Sequence, residues 1–216
     1  MRTQFLIMVL LGVTACGPLA QQQPVVSVLR GIAEAGSDVW EEKTDPREVL
    51  TRDIIEAATN DLLLFAPVNQ DMASVFARRS TNSDLITWVS DEGISLTLQD
   101  GVVVATRGLG NDLMGTDLNQ TYQRVVSGSG STVRIYEFLN GEDQIARREY
   151  ACKIATLRNE TIEIFQRKHE TRLISETCMG DAGGFGNLYW IDAGGMIWQS
   201  RQWISARVGM VDIQRF

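Results

Sequence analysis

From Leu62 onward the sequence is written in short apolar runs that alternate with polar residues and are cut by glycine-bearing turns. Alternation of period two sends successive side chains to opposite faces of a strand, so one face of the resulting sheet must be buried. Leu85-Ile86-Thr87-Trp88-Val89 passes through Asp91-Glu92-Gly93 into Ile94-Ser95-Leu96-Thr97-Leu98. Gln99-Asp100-Gly101 then leads into Val102-Val103-Val104-Ala105-Thr106. Turns of this composition between alternating runs are hairpin signals. Leu62–Pro67 reads as a short buried strand, and Met72–Arg78 as a strand or a helical turn. Tyr122–Val126, Thr132–Leu139, Gln144–Leu157, Thr161–Arg167, Arg172–Cys178, Leu188–Ile191, Met196–Gln199 and Val208–Gln214 continue the pattern. About ten strands spaced roughly 8–12 residues apart predict a mainly β fold, an antiparallel meander closing as a barrel or wrapped sandwich. No internal repeat of fixed period is present.

One helix precedes the strands. Asp45-Pro46-Arg47-Glu48 supplies an N-cap, a proline at the first helical position and a glutamate placed for a capping box. Val49, Leu50, Ile54, Ile55 and Ala58 follow at helical spacing, so the helix is expected over about 46–59.

The first residues carry an address. Arg2, the apolar run Phe5–Val13 and the small residues before Cys16 have the layout of a secretory signal peptide. The run falls short of the ~20 residues needed to cross a bilayer. Val13-Thr14-Ala15-Cys16 resembles the bacterial lipobox, in which the cysteine thiol takes a diacylglycerol and cleavage leaves Cys16 as the acylated N-terminus. Each buried methylene adds about 0.8 kcal/mol, so several acyl chains make a lasting anchor. Gly17, rather than Asp, follows the cysteine and favours the outer membrane. The expected organisation is a lipoprotein signal peptide over 1–15, a lipidated tether and lead-in over 16–44, and one β-rich domain over 45–216. The lead-in begins Gly17-Pro18-Leu19-Ala20-Gln21-Gln22-Gln23-Pro24, a composition suited to a linker.

Charge and cysteine count narrow the chemistry. With 20 Lys+Arg against 27 Asp+Glu, the formal charge of −7 argues against a nucleic-acid partner. A single histidine, His169, argues against His-rich metal sites and His-based catalysis, and it reads as an exposed loop residue. Cys152 and Cys178 remain after Cys16, and in an oxidising periplasm they read as a disulfide. That bond conflicts with a simple meander of 144–157, 161–167 and 172–178. Its first and third strands would lie about 9–10 Å apart, whereas a disulfide needs Cα atoms within about 7 Å. The expectation is the bond rather than the simple meander.

Catalytic signatures are sparse. Glu41-Glu42, Asp91-Glu92 and Glu142-Asp143 are adjacent pairs, and neighbours in a strand point apart. A glycosidase would need carboxylates from separate strands about 5–9 Å apart across a cleft. The glycines of 180–186 and 108–112 lack the contexts of phosphate or dinucleotide loops and read as plain loops. No esterase elbow is present. Trp88, Tyr189, Trp190, Trp198 and Trp203, with Gln202, are the candidate contacts for a glycan or a partner, since aromatic faces stack on sugar rings; core packing is the alternative. Tyr189 and Trp190 must face opposite ways in a regular strand.

Two stretches carry a resemblance. The first is Trp88-Val89-Ser90-Asp91-Glu92-Gly93 followed by Thr106-Arg107-Gly108-Leu109-Gly110-Asn111-Asp112. The second is Asn187-Leu188-Tyr189-Trp190-Ile191-Asp192 followed by Ser200-Arg201-Gln202-Trp203-Ile204-Ser205. With the lipobox, and over about residues 45–214, the chain resembles the YjbF/GfcB family of outer-membrane lipoproteins associated with group 4 capsule and exopolysaccharide operons. Ala206 stands where a proline is expected after the closing Ile-Ser. The resemblance implies a β-barrel-like domain and a role in making or secreting a surface polysaccharide, and it carries over no catalytic residue and no cofactor. The expected function is a non-enzymatic lipoprotein anchored on the periplasmic face of the outer membrane of a Gram-negative bacterium. It would bind polysaccharide or polysaccharide-export proteins. The alternatives are a polysaccharide-modifying enzyme using a carboxylate pair and a structural envelope lipoprotein.

Overall fold

The computed structural model describes residues 44–216 apart from residue 143. The leader over 1–15, the acylation residue Cys16 and the tether through residue 43 lie outside the described residues. Twelve antiparallel strands form one sheet: β1 Leu62–Pro67, β2 Ser74–Asn82, β3 Leu85–Ser90, β4 Ser95–Gln99, β5 Val102–Arg107, β6 Leu113–Asp117, β7 Ser129–Leu139, β8 Ile145–Ile164, β9 Arg167–Gly180, β10 Gly183–Ile191, β11 Ile197–Ser205 and β12 Gly209–Arg215. Their order, β5-β4-β3-β2-β1-β12-β11-β10-β9-β8-β7-β6, is a meander in which sequence neighbours pair throughout except for β5 and β6, and β1 closes onto β12. The sheet curls until its ends, β5 and β6, meet at a seam. The fold is a nearly closed barrel.

Side chains hold that seam where the backbone ladder stops. Leu113 N–H donates to Thr106 Oγ1 at 3.1 Å, and the Arg107 guanidinium donates to the carbonyls of Leu113 and Met114, each at 3.1 Å. An unpaired edge is otherwise a template for another chain.

The helix expected over 46–59 is two turns, α1 Pro46–Val49 and α2 Arg52–Ala57, parted by Leu50 and Thr51 in extended conformation. Thr51 Oγ1 accepts from Ile54 N–H and starts α2, while Leu50 is buried in a cluster on the outside of β1 and β2. Asp45 caps α1 as expected, but its carboxylate is held by Arg47 instead of a capping box with Glu48. Leu62, Leu64 and Ala66 face this outer cluster while Leu63 and Phe65 face the barrel interior, which is why β1 is a continuous apolar run.

Three other expectations are corrected. Tyr122–Val126 is not a strand: it lies in α3, Thr121–Ser127, ended by Gly128 at φ 76°. Tyr122, Val125 and Val126 have helical spacing, and a short apolar run does not distinguish the two forms. The glycine stretch 180–186 is no loop, because β10 starts at Gly183 and pairs Gly183 with Gly180. The strands expected at 144–157 and 161–167 are one strand, β8, joined to β9 by Phe165 and Gln166 at φ 44° and 66°. Two positive-φ residues make the tight turn that matches strand twist.

The long β8–β9 hairpin removes the conflict over the disulfide. Cys152 and Cys178 are direct cross-strand partners, 4.0 Å apart at Cα, and are bonded to each other. They do not come from the first and third strands of a triplet, so the meander and the bond coexist. The bridge closes a separation of 26 residues, and replacing both cysteines by serine is expected to cost about 3 kcal/mol in urea unfolding. A midpoint that does not move on reduction would refute a stabilising role.

Candidate functional site

The barrel interior holds charge. Arg134 on β7 and Glu176 on β9 are 1% and 0% exposed, and their side chains pair at 3.2 Å. The same carboxylate oxygen, Glu176 Oε2, accepts from Asn187 Nδ2 and from the Tyr189 hydroxyl, both at 2.7 Å. Arg134 also donates to the carbonyl of Val103 at 3.3 Å, and its guanidinium lies 4.8 Å from the Tyr136 ring centre. Burial opposes the Arg134 charge, but Tyr136, Glu176 and Tyr189 outweigh it and hold its pKa above the ordinary value. Burial, then the Glu176 charge, pushes the Tyr189 phenol well up, so it stays a hydroxyl donor.

A second interior clamp crosses to the seam strand. Gln202 Nε2 donates to Gly101 O at 2.9 Å and Ser200 Oγ at 2.8 Å, while its Oε1 accepts from Val103 N–H at 2.9 Å. Asn187 Oδ1 takes Trp203 N–H at 2.8 Å, beside the register shift between Trp203 and Ser205.

The remaining motif residues shape turns. Asp112 accepts from Thr106 Oγ1, Gly108 N–H and Leu109 N–H at 2.9, 2.9 and 3.1 Å, folding the loop beside the seam. Ser90 accepts from Ile94 N–H and from Gly93 N–H, the latter at φ 80°. Asp192 accepts from Gly194 N–H, Met196 N–H and Trp198 Nε1 at 2.8, 2.9 and 2.8 Å. Burial works against the Asp192 charge, but these bonds hold its carboxyl below the ordinary value.

On the outer surface, Trp190 Nε1 donates to Glu160 at 3.1 Å, and Trp198 packs on His169 with ring centres 3.9 Å apart. His169 is thus a buried residue of β9 and not an exposed loop residue. Burial, then Arg167 and Arg52, lowers its pKa. Tyr189 and Gln202 are enclosed, Trp88 is 1% exposed, and Trp190 and Trp198 have their indole N–H groups engaged.

Trp203 alone of the sequence candidates reaches the first mouth, where the β5–β6, β7–β8, β9–β10 and β11–β12 connections gather. Its ring stacks on Phe185, centres 4.6 Å apart and planes at 10°, and meets Tyr136, Phe138 and Tyr150 at 5.6, 6.0 and 6.1 Å. Beside this box lies a cleft of about 160 Å³, whose polar lining is Asn111, Asn140, Arg148 and Ser205. No sequence motif marks Arg148: only its pairing opposite Tyr136 turns it toward the cleft. At the opposite mouth, Trp88, Asp84, Asp100 and Arg215 line a cavity of about 280 Å³. Burial, then the Asp84 charge, raises the Asp100 carboxyl.

Among the described residues, one group of side chains has metal-ligand proximity. Cys152, Cys178 and Glu176 offer ligand atoms within 4.8 Å of one another, but the two sulfurs are bonded to each other and supply no thiolate. Among the described residues no helix is long and apolar enough to cross a membrane.

The sequence matches the family model described as group 4 capsule polysaccharide lipoprotein GfcB, YjbF, over residues 28–216. No curated protein sequence matches the chain. Among solved structures it is similar to the hypothetical lipoprotein YmcC from Escherichia coli K12, with a TM-score of 0.68 and 16% identity, covering 90% of this chain and 96% of that one. At that identity the likeness extends to the fold.

Removing one partner from a buried ion pair leaves an uncompensated charge, so Arg134→Met is expected to cost about 3–5 kcal/mol in urea unfolding. Adding Glu176→Gln should recover part of the loss, and a single variant within about 1 kcal/mol of wild type would contradict the assignment. A chain with one histidine gives one titrating imidazole NMR signal, expected below the ordinary 6.5. Because the folded value is depressed, the stability linked to His169 is complete above about 6.5 and is lost as pH falls through the folded pKa. His169→Gln should remove that part of the acid dependence, and a midpoint above 6.5 would count against it.

Proposed function

Since the chain belongs to the YjbF family of group 4 capsule polysaccharide lipoproteins, we propose that it is a non-enzymatic accessory lipoprotein for producing, assembling or exporting a surface polysaccharide. The family match over residues 28–216 carries this reading. Cys16 is its acylation site after removal of residues 1–15, and it tethers the barrel to the periplasmic face of the outer membrane. Outward positions of β8 such as Arg147, Glu149 and Lys153 are charged and exposed, which suits a domain held beside a membrane rather than a lipid-facing wall. The protein works by binding, either to the polysaccharide or to an export component.

Two features favour binding over catalysis. The motif residues Thr106, Asp112, Asn187, Tyr189, Ser200 and Gln202 are spent on hydrogen bonds that hold the seam and interior. Among the described residues, the aromatic cleft is lined by no carboxylate. The second reading, a polysaccharide-modifying enzyme, has one specific support: Asp84 and Asp100 share the cavity beside Trp88.

The test is secreted polysaccharide from a strain deleted for the gene and complemented with wild type, with Cys16→Ala carrying a cleavable secretory signal, and with Asp84→Asn/Asp100→Asn. Restoration by wild type and by the Asp variant, but not by the soluble form, is the expected pattern. Failure of the Asp variant at normal protein level would replace the accessory reading with the enzymatic one. Unchanged polysaccharide in the deletion strain would leave only the structural envelope role.

A further inference from the structure

The cleft beside Trp203 has a one-sided chemistry. Asn140 spends its side-chain oxygen on Glu142 N–H and Gln144 N–H, both at 2.9 Å, and its amide N–H groups have no acceptor among the described residues. Ser205 donates to Asn111 O at 2.8 Å and accepts Val208 N–H, so its hydroxyl is occupied. Tyr150 is 3% exposed, yet its hydroxyl has no hydrogen-bond partner among the described residues. The same holds for the Trp203 indole N–H. Arg148 stands opposite Tyr136, two positions before Tyr150, so alternation turns it to the side of those rings. Its neighbour Arg147 pairs on the outer face with Glu137 at 3.6 Å, whereas Arg148 forms no ion pair among the described residues.

A ligand here therefore meets unmatched donors, one full positive charge and a rigid indole, with no carboxylate among the described lining residues. On a chain of formal charge −7 this is a local inversion of sign. The volume of about 160 Å³ lies below the roughly 300–1,000 Å³ of pockets that enclose drug-sized molecules. A cavity of about 150 Å³ accepts one benzene-sized ring, so the cleft suits a single ring whose chain continues outside the mouth.

We infer that the cleft binds one acidic sugar unit of a polysaccharide, with its carboxylate on the Arg148 guanidinium, its hydroxyl oxygens on Asn140 and Tyr150, and its ring face on Trp203. This rests on the polysaccharide-binding reading above and names the saccharide class and the residues. A carboxylate accepts two parallel N–H bonds from a guanidinium fork, which selects it over a neutral hydroxymethyl group.

The test is calorimetric titration of the full lipidated protein in detergent with a tetrasaccharide alternating glucuronic acid and N-acetylglucosamine. The same saccharide with its carboxyl groups reduced to alcohols and a short polyglutamate peptide are titrated in parallel. The acidic tetrasaccharide should bind about ten- to hundredfold tighter than the reduced one, as expected for charge-assisted hydrogen bonds. Arg148→Gln should abolish that ratio, and Trp203→Leu should weaken both saccharides. Arg148 is exposed, so its variant should keep the wild-type urea midpoint, which separates lost binding from lost folding. Equal binding of both saccharides would overturn the acidic specificity and leave the polysaccharide reading standing. Preference for the peptide, or no saccharide binding at all, would overturn the sugar site itself. Unchanged polysaccharide in the deletion strain would instead remove the functional reading, whatever the cleft binds.

Discussion

One carboxylate oxygen, Glu176 Oε2, receives hydrogen bonds from Arg134, Asn187 and Tyr189 in an interior that water does not reach. Taking these groups out of water costs more than a single contact returns, so the cluster persists only when all its partners are in place together. Arg134 comes from β7, Glu176 from β9, and Asn187 and Tyr189 from β10. The second arm of Arg134 reaches Val103 on β5, where Gln202 of β11 also binds. A strand at the open end of the sheet is thereby fixed from inside by strands across the barrel. A slip by one residue in β7, β9 or β10 would turn a charged or phenolic group outward and leave its partners buried without bonds.

Around this cluster the barrel divides its work. The Cys152–Cys178 bridge lies on the inward face of the same β9 segment as Glu176 and locks the β8–β9 register covalently. At one end Val125 of α3 packs among Val102, Val104, Ile154, Ile174 and Ile191, filling the space with apolar side chains. The other end carries the aromatic box, whose rings touch edge to face and face to face and hold Trp203 in one orientation. A rigid indole loses little entropy on binding, so recognition depends on the stiffness of the core below it.

Much of the fold was legible because hairpins advertise themselves locally. Gly93 and Gly101 take positive φ, as their Asp-x-Gly and Asp-Gly contexts predict, and the strands they join begin and end within a residue or two of expectation. β6 escaped notice because Leu113-Met114-Gly115-Thr116-Asp117 has no alternation, its edge position leaving few side chains to bury. α3 resembles a strand in sequence because its apolar residues fit either period. Within β8, Arg158, Asn159 and Glu160 look like a turn in sequence but pair with Leu173, Arg172 and Thr171. His169 looked exposed among charges, yet Trp198, distant in sequence, covers it.

The sequence by itself determined the alternation, the turns, the family and the residues available for a buried network, because each is a property of neighbours along the chain. Only the tertiary structure decided which aromatics are enclosed and which one reaches an opening, that Cys152 and Cys178 face each other across a hairpin, and that Arg148 stands at the mouth on the side of the aromatic rings. Those are properties of strand register and barrel closure. They pair residues by their position around the barrel, and no local pattern encodes that position.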